Sequence, residues 1–367
     1  MPKVFIIGGT GHIGGAILDL LVGSRPEVEV QALARDEQKA AKVVAKYPRV
    51  RCVVGDFASL ELIETTCRCA DIVINAGPDI THDETLQAVV RGLQNREGGD
   101  VKSYFIHTSG AYLICDLQEP GGVKGEKVWD DIEDNEQLVS MPDTAVHRVT
   151  DKLVLSAAPH VNVAILSPAG VTGISPSVGH PLPITMPALF KCVRAFRSAF
   201  MIDEGANAVG MIHVRDFARM YMVLIDDALA TLTGTNKTDS PPFPLWGEKA
   251  YYFASAVDTV YRRDWFAGLA PLLEKHGVVS SREVKSVTTA EVARRVLFGE
   301  NYDPDAAAAP PPDSWATHIA HGLGANLRVR ASRMRALGWE PEYMDFMETM
   351  DEVIPAYIER EKENGAK

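Results

Sequence analysis

The chain has 367 residues, of which 46% are hydrophobic and 23% are charged, and its formal net charge is −12. This excess of acidic side chains argues against a nucleic-acid partner, because phosphate backbones are bound by concentrated Lys and Arg. No apolar run approaches the roughly 20 residues that span a membrane, so we expect a cytoplasmic protein without a nucleic-acid or membrane partner.

The first part of the chain alternates short apolar runs with longer segments of helical periodicity. The predicted strands are residues 4–7, 28–34, 50–54, 71–75 and 104–108. The helices predicted between them are residues 12–22, 36–46, 60–67 and 81–94. Repeated strand–helix–strand units indicate parallel strands that are covered by helices on both faces. The predicted fold class is therefore α/β, a Rossmann-type doubly wound parallel sheet.

The pattern changes after the fifth strand. Residues 116–144 are acidic, which predicts a solvated surface segment. Further along, the periodicity predicts helices at 145–158, 211–227, 261–276, 289–298 and 343–362, strands at 161–166 and 250–254, and loops at 176–187 and 303–313. We expect a dinucleotide-binding domain over residues 1–174, to which 207–257 returns. Residues 175–206 and 258–367 would then form a smaller, mainly helical substrate-binding region.

A glycine-rich segment follows the first predicted strand and begins the first predicted helix. Gly8 permits a tight turn, Gly11 lets the backbone approach a pyrophosphate, and Gly14 lets the helix pack on the strand. The amides at the start of the helix would then face the phosphates. We therefore predict dinucleotide binding by the segment, which also contributes Thr10, His12 and Ile13.

The end of the second strand bears on which dinucleotide is bound. An acidic residue there would bind a ribose hydroxyl, but the strand ends on Arg35 and the acidic Asp36 comes one position later. A guanidinium matches phosphate oxygens, so Arg35 favours NADP over NAD. The alternative is that Arg35 is a surface cation paired with Asp36 or Glu37.

An ordered set of motifs extends over nearly the whole chain. It comprises residues 8–15 (GGTGHIGG), 55–56 (GD), 75–77 (NAG), 107–110 (HTSG), 147–148 (HR), Lys152, 167–173 (SPAGVTG), 212–216 (IHVRD) and 337–341 (LGWEP). In this set the chain resembles the extended branch of the short-chain dehydrogenase/reductase superfamily, the NAD-dependent epimerase/dehydratase type. More narrowly, it resembles an atypical fungal group within that branch.

The resemblance implies further cofactor contacts at the ends of successive strands. Asp56 and Phe57 would border the adenine. Asn75, Ala76 and Gly77 would follow the path toward the nicotinamide, and Pro168, Ala169, Gly170 and Val171 would line its ring. These placements agree with the rule that open parallel sheets bind ligands beyond the carboxyl ends of their strands. The substrate pocket would lie between that edge and the helical C-terminal region.

Reductases of this superfamily carry a Ser and a Tyr that stands four residues before a Lys. By resemblance, Ser109 would steady the substrate oxygen, and Lys152 would lower the pKa of the Tyr and bind the nicotinamide ribose. The position four residues before Lys152 is Arg148, however, and a guanidinium stays protonated. The usual proton relay is therefore absent from the sequence.

Three alternatives remain for the proton donor. Tyr112 could bring a phenol from the loop after Ser109. His147 could act as the acid, oriented by Asp151 one helical turn later, or the two could form a simple surface pair. Finally, there could be no relay at all. His107 lies in an apolar strand, which favours a place in the core.

These observations predict an NADP-dependent oxidoreductase of the carbonyl reductase or alcohol dehydrogenase type. Hydride would pass between the nicotinamide and a carbon of a small organic metabolite held by Ser109. The alternatives are a non-redox isomerase, epimerase or lyase on the same fold, and an NADP-binding regulator without turnover. A homodimer stays open. We expect no metal site, because no carboxylate or cysteine completes a ligand set with His318 and His321.

Overall fold

The computed structural model describes residues 1–77, 82–96, 101–115, 121–235, 241–298 and 322–365. Its centre is a sheet of seven strands, which are β1 (Lys3–Ile7), β2 (Glu29–Ala34), β3 (Arg51–Val54), β4 (Ile72–Asn75), β5 (Tyr104–Thr108), β7 (Asn162–Pro168) and β11 (Tyr251–Ala254). The order across the sheet is β3-β2-β1-β4-β5-β7-β11, and every neighbouring pair is parallel. The predicted α/β Rossmann fold is confirmed.

Helices cover both faces of this sheet. They are α1 (His12–Ser24), α2 (Glu37–Lys46), α3 (Leu60–Arg68), α4 (Asp83–Gln94), α6 (Arg148–Leu155) and α8 (Val214–Thr233). The chain moves outward from β1 to β3 and then back across the sheet to β7, so right-handed crossovers place α3, α4 and α6 on the opposite face from α1. Accordingly α1 packs against α8, while α3, α4 and α6 pack against one another in a row.

The rest of the described chain is built from small sheets and further helices. Three small sheets contain β8 (Gly170–Thr172), β10 (Ala208–His213) and β12 (Val257–Tyr261), then β9 (Ala199–Ile202) and β13 (Val284–Val287), then β6 (Trp129–Asp130) and β14 (Val329–Arg330). The remaining helices are α5 (Asn135–Leu138), α7 (Met186–Phe196), α9 (Arg262–Lys275), α10 (Thr289–Val292), α11 (Ser332–Ala336) and α12 (Phe346–Gly365). Within the described ranges, no helix is both long and apolar enough to cross a bilayer. The domain boundaries stay a prediction.

Several predicted helices begin too early, and the physical cause is visible for two of them. The helix predicted from residue 145 begins only at Arg148, because His147 adopts a left-handed backbone with φ 71°. The helix predicted from residue 211 begins at Val214, since residues 208–213 form β10 between β8 and β12. A short apolar run is compatible with the periodicity of a helix and with that of a strand. Pairing with neighbouring strands made residues 208–213 a strand. The predicted loop at 303–313, together with His318 and His321, lies outside the described residues.

The acidic stretch is not simply a solvated surface, and that prediction is wrong for Asp131. This side chain is fully buried. Its carboxylate accepts hydrogen bonds from the backbone amides of Phe253 (3.0 Å) and Arg333 (2.9 Å). Burial raises the pKa of Asp131 to about 7, against the effect of these two bonds. Asp131 therefore ties β11 to α11 inside the molecule.

We expect Asp131→Ala to lower the free energy of unfolding by about 2–4 kcal/mol, because two buried amides would lose their acceptor. Glu133→Ala is the matched control, since Glu133 is exposed in the same stretch and should change stability by less than about 0.5 kcal/mol. Urea denaturation measures both. Equal midpoints for the two variants would contradict the structural role of Asp131.

Candidate functional site

The turn after β1 leaves no room for side chains at two of its glycines. Gly8 has φ +84°, and a Cβ there would lie 2.6 Å from the carbonyl carbon of Ala76. A Cβ on Gly14 would overlap with the Gly8 carbonyl group. The amide of Gly11 donates to Gly8 O (2.8 Å), which closes the turn. This is the backbone cradle that a dinucleotide pyrophosphate requires, so the residues present fit such a group.

The start of α1 is open toward this cradle. Its N-cap is Gly11, and no side chain caps the helix, so the first amides are available to an anion. The Thr10 carbonyl faces away, since it accepts from Ser177 Oγ (2.8 Å). His12 Nε2 lies 2.9 Å from the carbonyl of Gly173, and burial lowers the pKa of His12 to about 4. A neutral His12 thus fastens the glycine turn to the segment that follows β8, and Ile13 packs against the core.

The end of β2 presents positive charge. Arg35 is exposed, whereas the Asp36 carboxylate accepts from the Lys39 amide (2.8 Å) and caps α2. The pKa of His180 is lowered, first by burial and then by the positive charges of Arg360, Lys39 and Arg35. Three cations therefore lie near enough to His180 to act on its charge, and Asp36 is engaged in a helix cap.

The ends of β3 and β4 bring the predicted adenine and nicotinamide contacts close together. The Phe57 ring stands 2.9 Å from where a Cβ on Gly77 would lie. Asn75 Oδ1 accepts from the Gly77 amide (3.1 Å), and its Nδ2 lies 3.2 Å from His107 Nδ1. The Asp56 carboxylate accepts from Ser59 Oγ, which lowers its pKa. These residues line one edge of the sheet, and their contacts with a cofactor stay a prediction.

The proposed nicotinamide-lining segment leaves the sheet at the end of β7. Pro168 is the last residue of that strand, and Gly170 and Val171 begin β8. The Ala169 amide donates to the Ala254 carbonyl (3.5 Å), which holds the segment against β11. The segment is therefore fixed on the carboxyl edge where β5 and β7 end.

Four polar side chains cluster at this edge. Ser109 follows β5, and its Oγ is buried without a hydrogen bond of ordinary geometry in the described part of the chain. The Tyr251 hydroxyl on β11 donates to Ser167 Oγ (3.0 Å). The pKa of Tyr251 lies well above its usual value, first because of burial and then because of the charge of Asp151, while nearby Ser167 and Ser109 lower it. The sequence analysis missed Tyr251, because nothing in the sequence showed that its strand would pair with β7.

The side of α6 that faces the sheet carries Asp151 and not the predicted Lys152. Asp151 is fully buried, and its amide donates to the His147 carbonyl (2.9 Å). His147 Nε2 packs on the residue after Ser109, since a Cβ on Gly110 would lie 2.5 Å from it. Lys152 instead points outward, where its ammonium pairs with the exposed Asp143 (2.8 Å).

The structure thus brings Ser109, His147 and Asp151 together and leaves Lys152 on the outer side of α6. Arg148 is buried, and its guanidinium donates to the carbonyls of Met141 and Val139. Helix α6 begins only after His147. The residues four positions apart that face inward are therefore His147 and Asp151, and not residue 148 and Lys152.

Tyr112 lies in a short 3₁₀ helix, Ala111–Ile114. Burial raises the pKa of its phenol, while the positive charge of Arg262 lowers it. Its hydroxyl packs toward Gly322, where an added Cβ would overlap with it. Tyr112 therefore faces the C-terminal region. His107 is fully buried within β5, as the core interpretation expected.

Residues 8–110 match the family model described as NAD(P)H-binding. Over 98% of both chains, the protein is 26% identical to a protein named oxidase ucsJ from Acremonium sp.. Its fold is similar to that of dTDP-glucose 4,6-dehydratase from Bacillus anthracis, which was solved in complex with NAD. The TM-score is 0.62 and the sequence identity 12%, and the match covers 99% of this chain and 98% of the dehydratase chain. It is also similar to UDP-glucose 4-epimerase from Thermotoga maritima, with 13% identity, TM-score 0.59 and coverage of 97% and 99%.

The fold and the glycine turn define an NAD(P)-binding protein with an oxidoreductase-type Rossmann fold. The shared fold agrees with the fold that the resemblance to the extended epimerase/dehydratase branch implied.

Proposed function

We propose that the protein is a cytoplasmic NADP-dependent oxidoreductase, of the carbonyl reductase or alcohol dehydrogenase type, that acts on a small organic metabolite. The observation that carries this proposal is the cluster of Ser109, Tyr251 and Asp151 at the carboxyl edge of the sheet, next to His147. It lies at the edge where the nicotinamide-lining segment leaves β7, which is where the ligands of such sheets bind.

Each member of the cluster has a distinct role in this proposal. The bound dinucleotide supplies or accepts the hydride. The Ser109 hydroxyl, which has no hydrogen bond of ordinary geometry, donates to the substrate oxygen. His147 transfers the proton to or from that oxygen, because an imidazole can act as acid or base near neutral pH. Tyr251 and Asp151 are more fully buried than Ser109, and we assign them positioning roles behind it.

The choice of NADP rests on the charges at the end of β2. The 2′-phosphate of NADP is the group that distinguishes it from NAD, and the cations Arg35, Lys39 and Arg360 surround His180 beside the glycine turn. Asp36 caps α2 and stands one position beyond the residue where a ribose-binding carboxylate is expected. This arrangement favours a phosphate over a free hydroxyl.

We expect Arg35→Ala to weaken NADPH binding by about 10- to 100-fold, the effect of one lost charge-assisted contact. NADH binding should change less than about twofold. Titration calorimetry with both nucleotides measures the difference. Arg49→Ala is the control, since Arg49 is exposed and binds the carbonyls of Pro26 and Val22. An equal loss for NADPH and NADH would contradict the phosphate contact.

Turnover assays with the NADPH-loaded protein test the function itself. A panel of carbonyl compounds should include one that oxidises the bound nucleotide, seen as loss of the nicotinamide absorbance. Conversion of a substrate with the nucleotide unchanged would instead indicate an isomerase, epimerase or lyase. Tight NADPH binding without any turnover across the panel would indicate a regulator.

A further inference from the structure

The Arg262 guanidinium has an enclosed Nε and no counter-ion in the part of the chain that the structure describes. It is the first residue of α9, directly after β12, and its amide donates to the Asn207 carbonyl (2.9 Å). Its Nε is enclosed and has no hydrogen-bond partner. No ion pair involves this guanidinium anywhere in the described ranges of the chain. By contrast, the neighbouring Arg263 is exposed and lies near Asp264.

An enclosed charge of this kind is costly to the fold. Removing an ion from water is unfavourable unless a partner compensates it, and burial lowers the pKa of Arg262 to about 10. None of the described residues forms an ion pair with the guanidinium. An anionic group of a bound ligand would compensate the charge of this guanidinium.

The position of Arg262 indicates which ligand this is. Its neighbour is the Tyr112 phenol, which lies close enough for each group to shift the pKa of the other. Tyr112 comes three residues after Ser109, in the short helix that follows β5. The cation therefore lies on the side of Ser109 that faces the C-terminal region, where the sequence analysis places the substrate.

We propose that Arg262, together with Tyr112, binds a carboxylate of the substrate, so that the substrates are oxo acids or hydroxy acids. A single guanidinium neutralises a singly charged carboxylate, whereas an enclosed phosphate dianion would keep an uncompensated charge. This inference rests on the proposed function, because it assumes that the group held at Ser109 belongs to the same substrate.

The stability of two variants tests the proposal without a ligand. Arg262→Met should raise the Tm of the unliganded protein by about 3 °C, because it removes an uncompensated charge and keeps the length of the side chain. Arg263→Met, which removes an exposed charge, should shift the Tm by less than about 1 °C. A lower Tm for Arg262→Met would show that the guanidinium serves the fold, which would overturn the proposal.

Ligand binding provides the second readout. The NADPH-loaded protein would be titrated with 4-oxopentanoate, 2-oxohexanoate and 3-acetylbenzoate and with their methyl esters. We expect at least one acid to bind about 10- to 100-fold more tightly than its ester, and Arg262→Met to abolish this preference. The proposal is overturned if no acid is preferred, or if the preference survives in Arg262→Met.

The same titrations separate the carboxylate contact from the proposed reaction. Ser109→Ala should lose turnover and keep the preference for acids over esters. A protein that prefers acids through Arg262 but never oxidises NADPH would refute the oxidoreductase function and leave the carboxylate site intact.

Discussion

His147→Asn is expected to slow hydride transfer by about 10²–10⁴-fold, the usual contribution of a general acid. Asn is the suitable replacement, because His147 has φ 71° and Asn tolerates a left-handed backbone better than most residues. Its amide cannot exchange a proton near neutral pH, whereas an imidazole can. Single-turnover oxidation of bound NADPH measures the rate, and the affinity for NADPH should be unchanged.

Two comparisons make this experiment specific. His160→Asn is the control, since His160 is exposed beyond the end of α6 and should retain the full rate. Tyr112→Phe tests the phenol that the sequence offered as an alternative acid. If Tyr112→Phe slows the reaction and His147→Asn does not, the proton comes from Tyr112 and the role proposed for His147 is wrong.

Gly14→Ala is expected to weaken the binding of both NADPH and NADH by at least about 100-fold, or roughly 2.7 kcal/mol. The added Cβ would overlap with the Gly8 carbonyl group. The backbone of the turn would have to move, and its amides would lose their alignment with the pyrophosphate. Titration calorimetry on the folded variant measures the loss.

The matched control for this variant lies on the same helix. Gly23 is also in α1, and a Cβ there meets nothing within 4 Å. Gly23→Ala should therefore keep full nucleotide affinity and gain up to about 1 kcal/mol of stability, because Ala is the better helix former. Unchanged affinity in Gly14→Ala would mean that the glycine turn does not hold the dinucleotide.

The central sheet was largely predictable because each of its first five strands is a short apolar run bounded by polar turns. Residues 104–108 were predicted with the bounds of β5, and the other four strands differ by one residue at their starts. The segment 208–213 was less accessible to this reasoning. It is mostly apolar, and only its pairing with β8 and β12 makes it a strand.

The candidate site was harder to predict than the fold. Local spacing located the glycine turn, Arg35 and Ser109, since each follows directly from a strand end. The inner side of α6 depends on a single left-handed residue at His147, which no spacing rule reveals. Lys152 was predicted from the four-residue Tyr–Lys spacing of the superfamily that the chain resembles, but its ammonium pairs with Asp143 at the surface.

Contacts between distant segments could not be predicted at all. Tyr251 joins Ser167 only because β11 pairs with β7, and Asp131 holds an amide of Arg333. A single sequence carries no pairing information of this kind. The charge at Asp131 looked like solvated surface for the same reason, because its two donors come from other parts of the chain.

The late arrival of β11 has a consequence for synthesis on the ribosome. Domains of growing chains generally fold from the N-terminus, yet the outermost strand of this sheet is Tyr251–Ala254. Until that segment leaves the exit tunnel, β7 is the edge of the sheet, and its backbone groups on the side of β11 have no partner strand. Open apolar edges invite pairing with other chains, so a nascent polypeptide halted before Tyr251 should bind holdase chaperones.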